Sequence, residues 1–157
     1  MPEFDGVTTF RKSGFRRLRD AIHLLTPPVT DIAEQGAETR HTRGAMYLCG
    51  YGVECMLKAY LIHHHSPCQR LSDVLIELRK SDPEVRDICG VAGHDLPYLL
   101  KLTKLEEHMD NERKRQMSLC AKWRSNWRYN PQPAPYDDAV AMVEAARLFA
   151  KWIDKQI

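Results

Sequence analysis

The sequence predicts an all-α fold, an up-and-down four-helix bundle with additional short helices. Apolar residues recur at helical spacing through several long segments, and no segment shows the strict alternation of a strand. Most of the prolines, together with Gly90 and Gly93, fall between those segments, where they interrupt helices. The chain has 157 residues, of which 43% are hydrophobic and 28% charged, as in one globular domain. We assign residues 9–157 to that domain and residues 1–8 to a flexible lead.

A first helix is predicted from about Thr9 to Leu25. Its apolar residues share one face, and its many basic residues lie outside that face. It ends before Pro27, because proline cannot continue a helix. Residues 29–42 are compatible with a further helix that leads into the central one, although Gly36 disfavours it.

The central helix, predicted from Arg43 to His65, is the element around which the others pack. Its apolar residues cover most of the circumference, which is typical of a helix with neighbours on several sides. Gly44, Gly50 and Gly52 each cost about 1 kcal/mol relative to alanine inside a helix. We therefore interpret these glycines as points where another backbone comes close.

The few polar residues of the central helix share one face. They are Arg40, Arg43, Tyr47, Tyr51, Glu54, Lys58 and His65. One interpretation is an ordinary solvated face on which Glu54 and Lys58 form an i,i+4 ion pair, the commoner case on helices. The other is a polar groove between helices, which would make this stripe a candidate binding site.

Three shorter helices are predicted next. The inner face of the first consists of Leu71, Val74, Leu75 and Leu78. After a loop at residues 81–93, His94 and Asp95 open the second, and Asp95 has the position of an N-terminal cap. The third is predicted from Asn111 to about Trp127.

The last helix begins near Pro135, after a proline-rich connector. Asp137 and Asp138 fall in its first turn, where negative charge suits the helix dipole. Its inward residues keep helical spacing throughout; they are Ala139, Met142, Val143, Ala146, Phe149, Ala150 and Ile153.

A basic stretch between Arg113 and Arg128 is a second candidate for function, since the net charge of +2 indicates no partner by itself. It holds six cations and no acidic residue, and the cations are Arg113, Lys114, Arg115, Lys122, Arg124 and Arg128. Trp123, Trp127 and Tyr129 are interleaved with them. Cations neutralise phosphates and flat rings stack on unpaired bases, so the stretch predicts a surface for single-stranded RNA. The alternative is a solvated basic face whose tryptophans pack inward.

Several classes of function are disfavoured. His63, His64 and His65 are consecutive, and consecutive helical residues point about 100° apart, so no metal site is expected. Phosphate-loop, hydrolase and zinc-protease signatures are missing, so no cofactor is expected. Five cysteines without CxxC spacing, and no apolar leader or membrane span, predict a cytoplasmic protein with reduced cysteines.

Several of these features together resemble a bacterial HEPN domain. They are the run YGVECMLKAYL, the GHDL at Gly93 to Leu96, the Trp127-Arg128-Tyr129 cluster before the proline-rich connector, and the closing amphipathic helix. The resemblance extends from about Thr9 to Ile153. It implies a homodimeric helical bundle that binds RNA or a nucleotide in a toxin-antitoxin or phage-defence system, with a nucleotidyltransferase or an antitoxin as partner protein. It also implies a groove across which Glu54 and Lys58 face His94, Asp95, Arg128 and Tyr129.

Catalytic members of that family are metal-independent ribonucleases that carry an arginine, four to six further residues, and then a histidine. Only His23 has this spacing, with Arg17 and Arg16 before it. In such a pair the imidazole moves the proton of the 2′-hydroxyl and the guanidinium stabilises the phosphorane. The family motif belongs to the later helices, however, where Arg124 and Arg128 are followed by no histidine.

Three hypotheses follow, and whether the protein is an enzyme stays open among them. The first is a module that binds RNA or a nucleotide through Arg43, Tyr47, Tyr51, Glu54, Lys58, His94, Asp95, Arg124, Trp127, Arg128 and Tyr129. The second is a metal-independent endoribonuclease toxin that uses Arg17 with His23, or His94 with Arg128. The third is a non-catalytic protein-interaction or antitoxin-like subunit. The first is favoured, because the acid-base pair is missing from its expected place.

Overall fold

A computed structural model describes residues 5–26 and 41–157 of the chain, and within them it contains helices and no strand. The α-helices are α1 (Val7–Leu25), α2 (Thr42–His64), α3 (Leu71–Ser81), α4 (Leu96–Thr103), α5 (Asn111–Cys120) and α6 (Tyr136–Asp154). Short 3₁₀ turns lie at Val91–His94, Leu105–His108 and Ser125–Tyr129. The predicted all-α class is confirmed.

Helix α2 lies at the centre and packs against α1, α3, α4 and α6, as its apolar circumference predicts. It crosses α1 very closely at Gly52, where an added Cβ would lie 3.0 Å from the carbonyl oxygen of Gly14. The predicted approach of another backbone is thus confirmed at Gly52. It is wrong at the other two glycines, since the near neighbour of Gly50 is the Trp123 side chain and that of Gly44 is the Leu24 side chain.

The predicted extent of α5 is wrong, because the helix ends at Cys120 instead of Trp127. The chain turns there, and the backbone N–H of Trp123 donates to the carbonyl of Cys120 at 2.9 Å. This turn lets the indole lie on Gly50, where its Nε1–H donates to the carbonyl oxygen of Tyr47 at 2.9 Å. A tertiary contact with α2 therefore accounts for the end of α5, and local spacing does not report such contacts.

The other helices agree closely with their predicted bounds. Helix α1 begins at Val7, two residues before the predicted start. A further helix is expected within residues 29–42, and residues 29–40 of that segment lie outside the described part of the chain. All the inward residues predicted for α6 are buried. Asp95 caps α4, since its carboxylate accepts the N–H of Tyr98 at 3.0 Å. No helix of the described residues is long and apolar enough to cross a membrane.

All five cysteines are free, and three of them lie in the core. Burial raises the pKa of Cys55 and of Cys120 to about 12, so both thiols stay protonated at neutral pH.

Candidate functional site

A buried ion pair on α2 lies next to His94 of the candidate site. The Lys58 ammonium lies 2.6 Å from Oε1 of Glu54, and the two side chains are only 9% and 2% exposed. The predicted i,i+4 pair is confirmed, but the solvated-face interpretation is wrong at these two residues. Charges are taken out of water only at a considerable cost in free energy, so their burial needs a further partner.

His94 supplies that partner from the turn before α4. Its Nδ1 lies 3.0 Å from Oε2 of Glu54, so the carboxylate binds lysine through one oxygen and histidine through the other. A carboxylate only accepts hydrogen bonds, and Nδ1 therefore carries the proton and donates it to Glu54. Among the described residues none hydrogen-bonds to Nε2, and the side chain is 42% exposed. The arrangement leaves Nε2 available to a ligand.

Gly93 allows the turn at Val91–His94 to lie against α2. A Cβ at this position would overlap the carbonyl oxygen of Ile88 and would lie 3.0 Å from the Nζ of Lys58. Only glycine leaves room there for both groups. The glycine of the GHDL sequence thus has a physical role, which is to place His94 within hydrogen-bonding distance of Glu54.

A cleft of about 700 Å³ opens beside His94. Arg86 and Arg124 contribute positive charge to its wall, and Asp95 and Asn126 contribute hydrogen-bonding groups. Trp123 lies beneath, only 3% exposed, and its ring is edge-on to His94 with 6.4 Å between the ring centroids. The cleft therefore combines cations, polar groups and an imidazole held in a fixed orientation.

The cation of Arg124 keeps donors free for a ligand. Its Nη1 donates to the carbonyl oxygens of Ala121 and Trp123, at 2.9 and 2.8 Å. A guanidinium has five N–H donors, so Nε and Nη2 remain for other acceptors. Arg86 is more constrained, because its Nη2 donates to Oδ2 of Asp95 at 2.8 Å.

The ionised form of Asp95 is favoured in the folded protein. Burial raises the pKa of this carboxyl, and the hydrogen bonds from Arg86 and from the N–H of Tyr98 lower it. The positive charges of Arg86 and Arg124 act in the same direction, so the net pKa lies below the ordinary value.

Asp95→Ala is expected to lower the free energy of unfolding by about 1 kcal/mol at pH 7, because it removes the cap of α4. The lowered pKa makes the contribution of the carboxylate fully present above about pH 4 and lost as the pH falls through the folded-state pKa. Urea unfolding at pH 7 and at pH 3 measures this difference. Asp95→Asn, which keeps a capping oxygen, is the control, and a difference between alanine and wild type that does not shrink at pH 3 would contradict the prediction.

The remaining predicted residues divide between the cleft and other surfaces. Arg43 lies over the Trp127 ring at 5.0 Å and donates to the carbonyl oxygen of Gln132, while Arg128 covers the ring of the exposed Tyr129 at 4.7 Å. The lining of the cleft includes Arg124 but not Arg128. The basic stretch is thus divided, and its indole at Trp123 is buried instead of forming a stacking face.

Arg17 and His23 project from different sides of α1. Arg17 lies 5.8 Å from the centre of the Tyr51 ring on α2 and 3.5 Å from Asp20. His23 instead lines a groove on α1 with Arg16 and Arg19. His23 is six positions after Arg17, so the two side chains point about 120° apart around the axis of α1. A catalytic pair must converge on one phosphate, which these two side chains do not do on this helix.

Sequence reasoning missed Arg86 and the placing of Gly93. Arg86 lies in a loop whose sequence has no periodicity, so its spacing predicts no contact. Folding of this loop places its guanidinium beside Asp95, nine residues later in the chain. The described residues contain no group of three or more histidine, cysteine, aspartate or glutamate side chains placed to hold a metal ion.

Comparisons with protein-family models, with curated proteins and with solved structures found no match to this chain.

Proposed function

We propose that the protein is a HEPN-type module that binds RNA or a nucleotide in the cleft beside His94. The observation that carries the proposal is the Glu54–His94 hydrogen bond at the edge of a cleft whose wall holds Arg124 and Arg86. A folded protein keeps a buried carboxylate and ammonium only where they are well paired. Here the pair holds an exposed imidazole in one orientation, as a binding or reacting group requires.

The chemistry of the cleft fits a phosphate-bearing ligand. The planar donors of Arg124 match two phosphate oxygens, and hydrogen bonds between charged partners are stronger than neutral ones. Asn126 adds an amide, which can bind a base edge or a ribose hydroxyl. Assembly as a homodimer, and with a nucleotidyltransferase or an antitoxin in a defence system, belongs to the same proposal and rests on the sequence resemblance.

A second function, metal-independent cleavage of RNA, is favoured by the direction of the Glu54–His94 hydrogen bond. Because the Nδ1–H of His94 donates a hydrogen bond to Glu54, Nε2 carries a lone pair that can accept the proton of a 2′-hydroxyl. That oxygen then attacks the adjacent phosphorus, and the guanidinium of Arg124 stabilises the phosphorane. The bond from phosphorus to the 5′-oxygen breaks, which leaves a 2′,3′-cyclic phosphate, and the protonated imidazole gives its proton to the leaving 5′-oxygen. Arg124 replaces Arg128 in this scheme, because it is Arg124 that lies in the cleft.

His94→Ala and Arg124→Gln are each expected to weaken the binding of a labelled RNA by about tenfold, the effect of losing one hydrogen bond to a charged group. Electrophoretic mobility shift in EDTA measures affinity, and a denaturing gel of the same samples measures cleavage. His23→Ala, which alters a histidine outside the cleft, is the control.

The outcomes separate the proposed functions. Binding that weakens with rising salt and leaves the RNA intact supports the module, and cleavage that His94→Ala abolishes supports the ribonuclease. Wild-type affinity in both cleft variants, or no affinity for RNA and nucleotides in the folded wild type, would contradict the proposal.

A further inference from the structure

A row of aromatic rings leads away from the cleft along α2. The ring of Tyr47 lies 6.2 Å from that of Trp123, centroid to centroid. Tyr51 comes next at 6.4 Å, and its ring is nearly parallel to that of Tyr47, with 6° between the two planes. The guanidinium carbon of Arg17 on α1 lies 5.8 Å from the centre of the Tyr51 ring and ends the row.

The row is partly accessible to a ligand. Tyr47 and Tyr51 are both half-buried, in contrast to their neighbours Cys49 and Val53, which are fully buried. Among the described residues none donates to or accepts from either tyrosine hydroxyl, although partly buried hydroxyls commonly find a partner. Each ring is thus partly exposed, and each hydroxyl has no hydrogen-bonding partner among the described residues.

Charge along the row also suits a polyanion. The Tyr51 hydroxyl is neutral at pH 7 and does not repel phosphates, and burial, followed by the neighbouring Cys55 and Glu54, raises its pKa further. Arg17 lies at one end and Arg124 at the other, and the acidic neighbour Asp20 is 3.5 Å from Arg17. An exposed pair at that distance is weak, so Arg17 can exchange it for a phosphate.

We infer that the ligand is a single-stranded polynucleotide that continues from the cleft over Tyr47 and Tyr51 to Arg17. This inference rests on the proposed function and names the class of ligand that the same site takes. Stacking on aromatic rings requires unpaired bases, whose faces a duplex covers. A mononucleotide occupies only the cleft and leaves the row empty, so a longer strand binds more tightly.

The test compares ligands of two lengths by competition against a labelled eight-nucleotide RNA. The unlabelled competitors are a dinucleotide, the eight-nucleotide RNA, its DNA equivalent and its duplex. Tyr51→Leu removes one stacked base and Arg17→Gln removes one charged hydrogen bond to a phosphate, so each is expected to weaken the eight-nucleotide strand by about tenfold and the dinucleotide by less than twofold. The DNA competitor shows whether the protein binds single-stranded RNA more tightly than single-stranded DNA, since only RNA has 2′-hydroxyls.

Arg16→Gln is the matched control, because it makes the same change at the adjacent residue, which lines the groove of α1 away from Tyr51. Equal losses from Arg16→Gln and Arg17→Gln would overturn the inference, as would a duplex that competes as well as the single strand. A dinucleotide that binds as tightly as the longer strand, with loss on His94→Ala, would overturn this inference alone. Failure of every competitor to bind would overturn the proposed function. Arg17→Gln alters a surface residue, so the test stands even if Tyr51→Leu does not fold.

Discussion

Glu54→Gln is expected to lower the free energy of unfolding by about 3–5 kcal/mol, the usual loss when one partner of a buried ion pair is removed. The amide keeps the size of the carboxylate and removes its charge. The Lys58 ammonium then remains buried with no charged partner, and His94 loses the carboxylate that accepts from its Nδ1. Urea unfolding followed by circular dichroism measures the loss.

The double substitution Glu54→Leu with Lys58→Met is the control. Well-packed apolar residues in place of a buried ion pair are often neutral or stabilising, so the double variant is expected to recover most of the stability lost by Glu54→Gln. It is also expected to weaken ligand binding by up to about tenfold, as His94→Ala does, because His94 is no longer held. A double variant as unstable as the single one would show that packing, and not the unpaired charge, causes the loss.

This expected pair of results bears on why the charges are buried at all. If the double variant is stable but binds the ligand more weakly, Glu54 and Lys58 contribute little to net stability and serve to orient His94. The fold then keeps a costly polar group beneath its cleft for the sake of the cleft, a pattern typical of functional sites.

The sequence predicts the helices well where local spacing decides them. In α6, the predicted apolar residues at steps of three and four are all buried. A helix that packs on the core with one side has its apolar residues at this spacing, because the spacing places them on one face. The same reasoning fails at α5, since the turn after Cys120 depends on the contact of Trp123 with Tyr47, seventy-six residues away. Nothing within α5 itself reports that contact.

The candidate site was predictable in its residue types more than in its geometry. Glu54 and Lys58 could be paired from their spacing, but their burial depends on the turn at Gly93, which covers them from another part of the chain. The basic stretch suggested that Trp123 stacks on bases, whereas its indole packs on Gly50. Pattern alone cannot tell a buried ring from an exposed one.

Gly50→Ala is expected to lower the free energy of unfolding by about 2–3 kcal/mol, a typical cost of overpacking a core. The new Cβ would overlap the five-membered ring of Trp123 and lie 2.6 Å from its Nε1. The indole must therefore move, and its hydrogen bond to the carbonyl oxygen of Tyr47 is lost. Urea unfolding measures the loss, and tryptophan emission shifted to longer wavelength in the folded variant reports the moved ring.

Gly44→Ala makes the same change in the same helix and is the control. Its nearest neighbour is the flexible end of Leu24, at an ordinary contact distance of 3.4 Å. Without a clash, the higher helix propensity of alanine is expected to raise the free energy of unfolding by up to about 1 kcal/mol. The two substitutions thus have effects of opposite sign, because helix propensity favours alanine at both positions and only at Gly50 does the packing oppose it. Equal effects from both would mean that Trp123 does not rest on Gly50, and the floor of the cleft would then lack its indole.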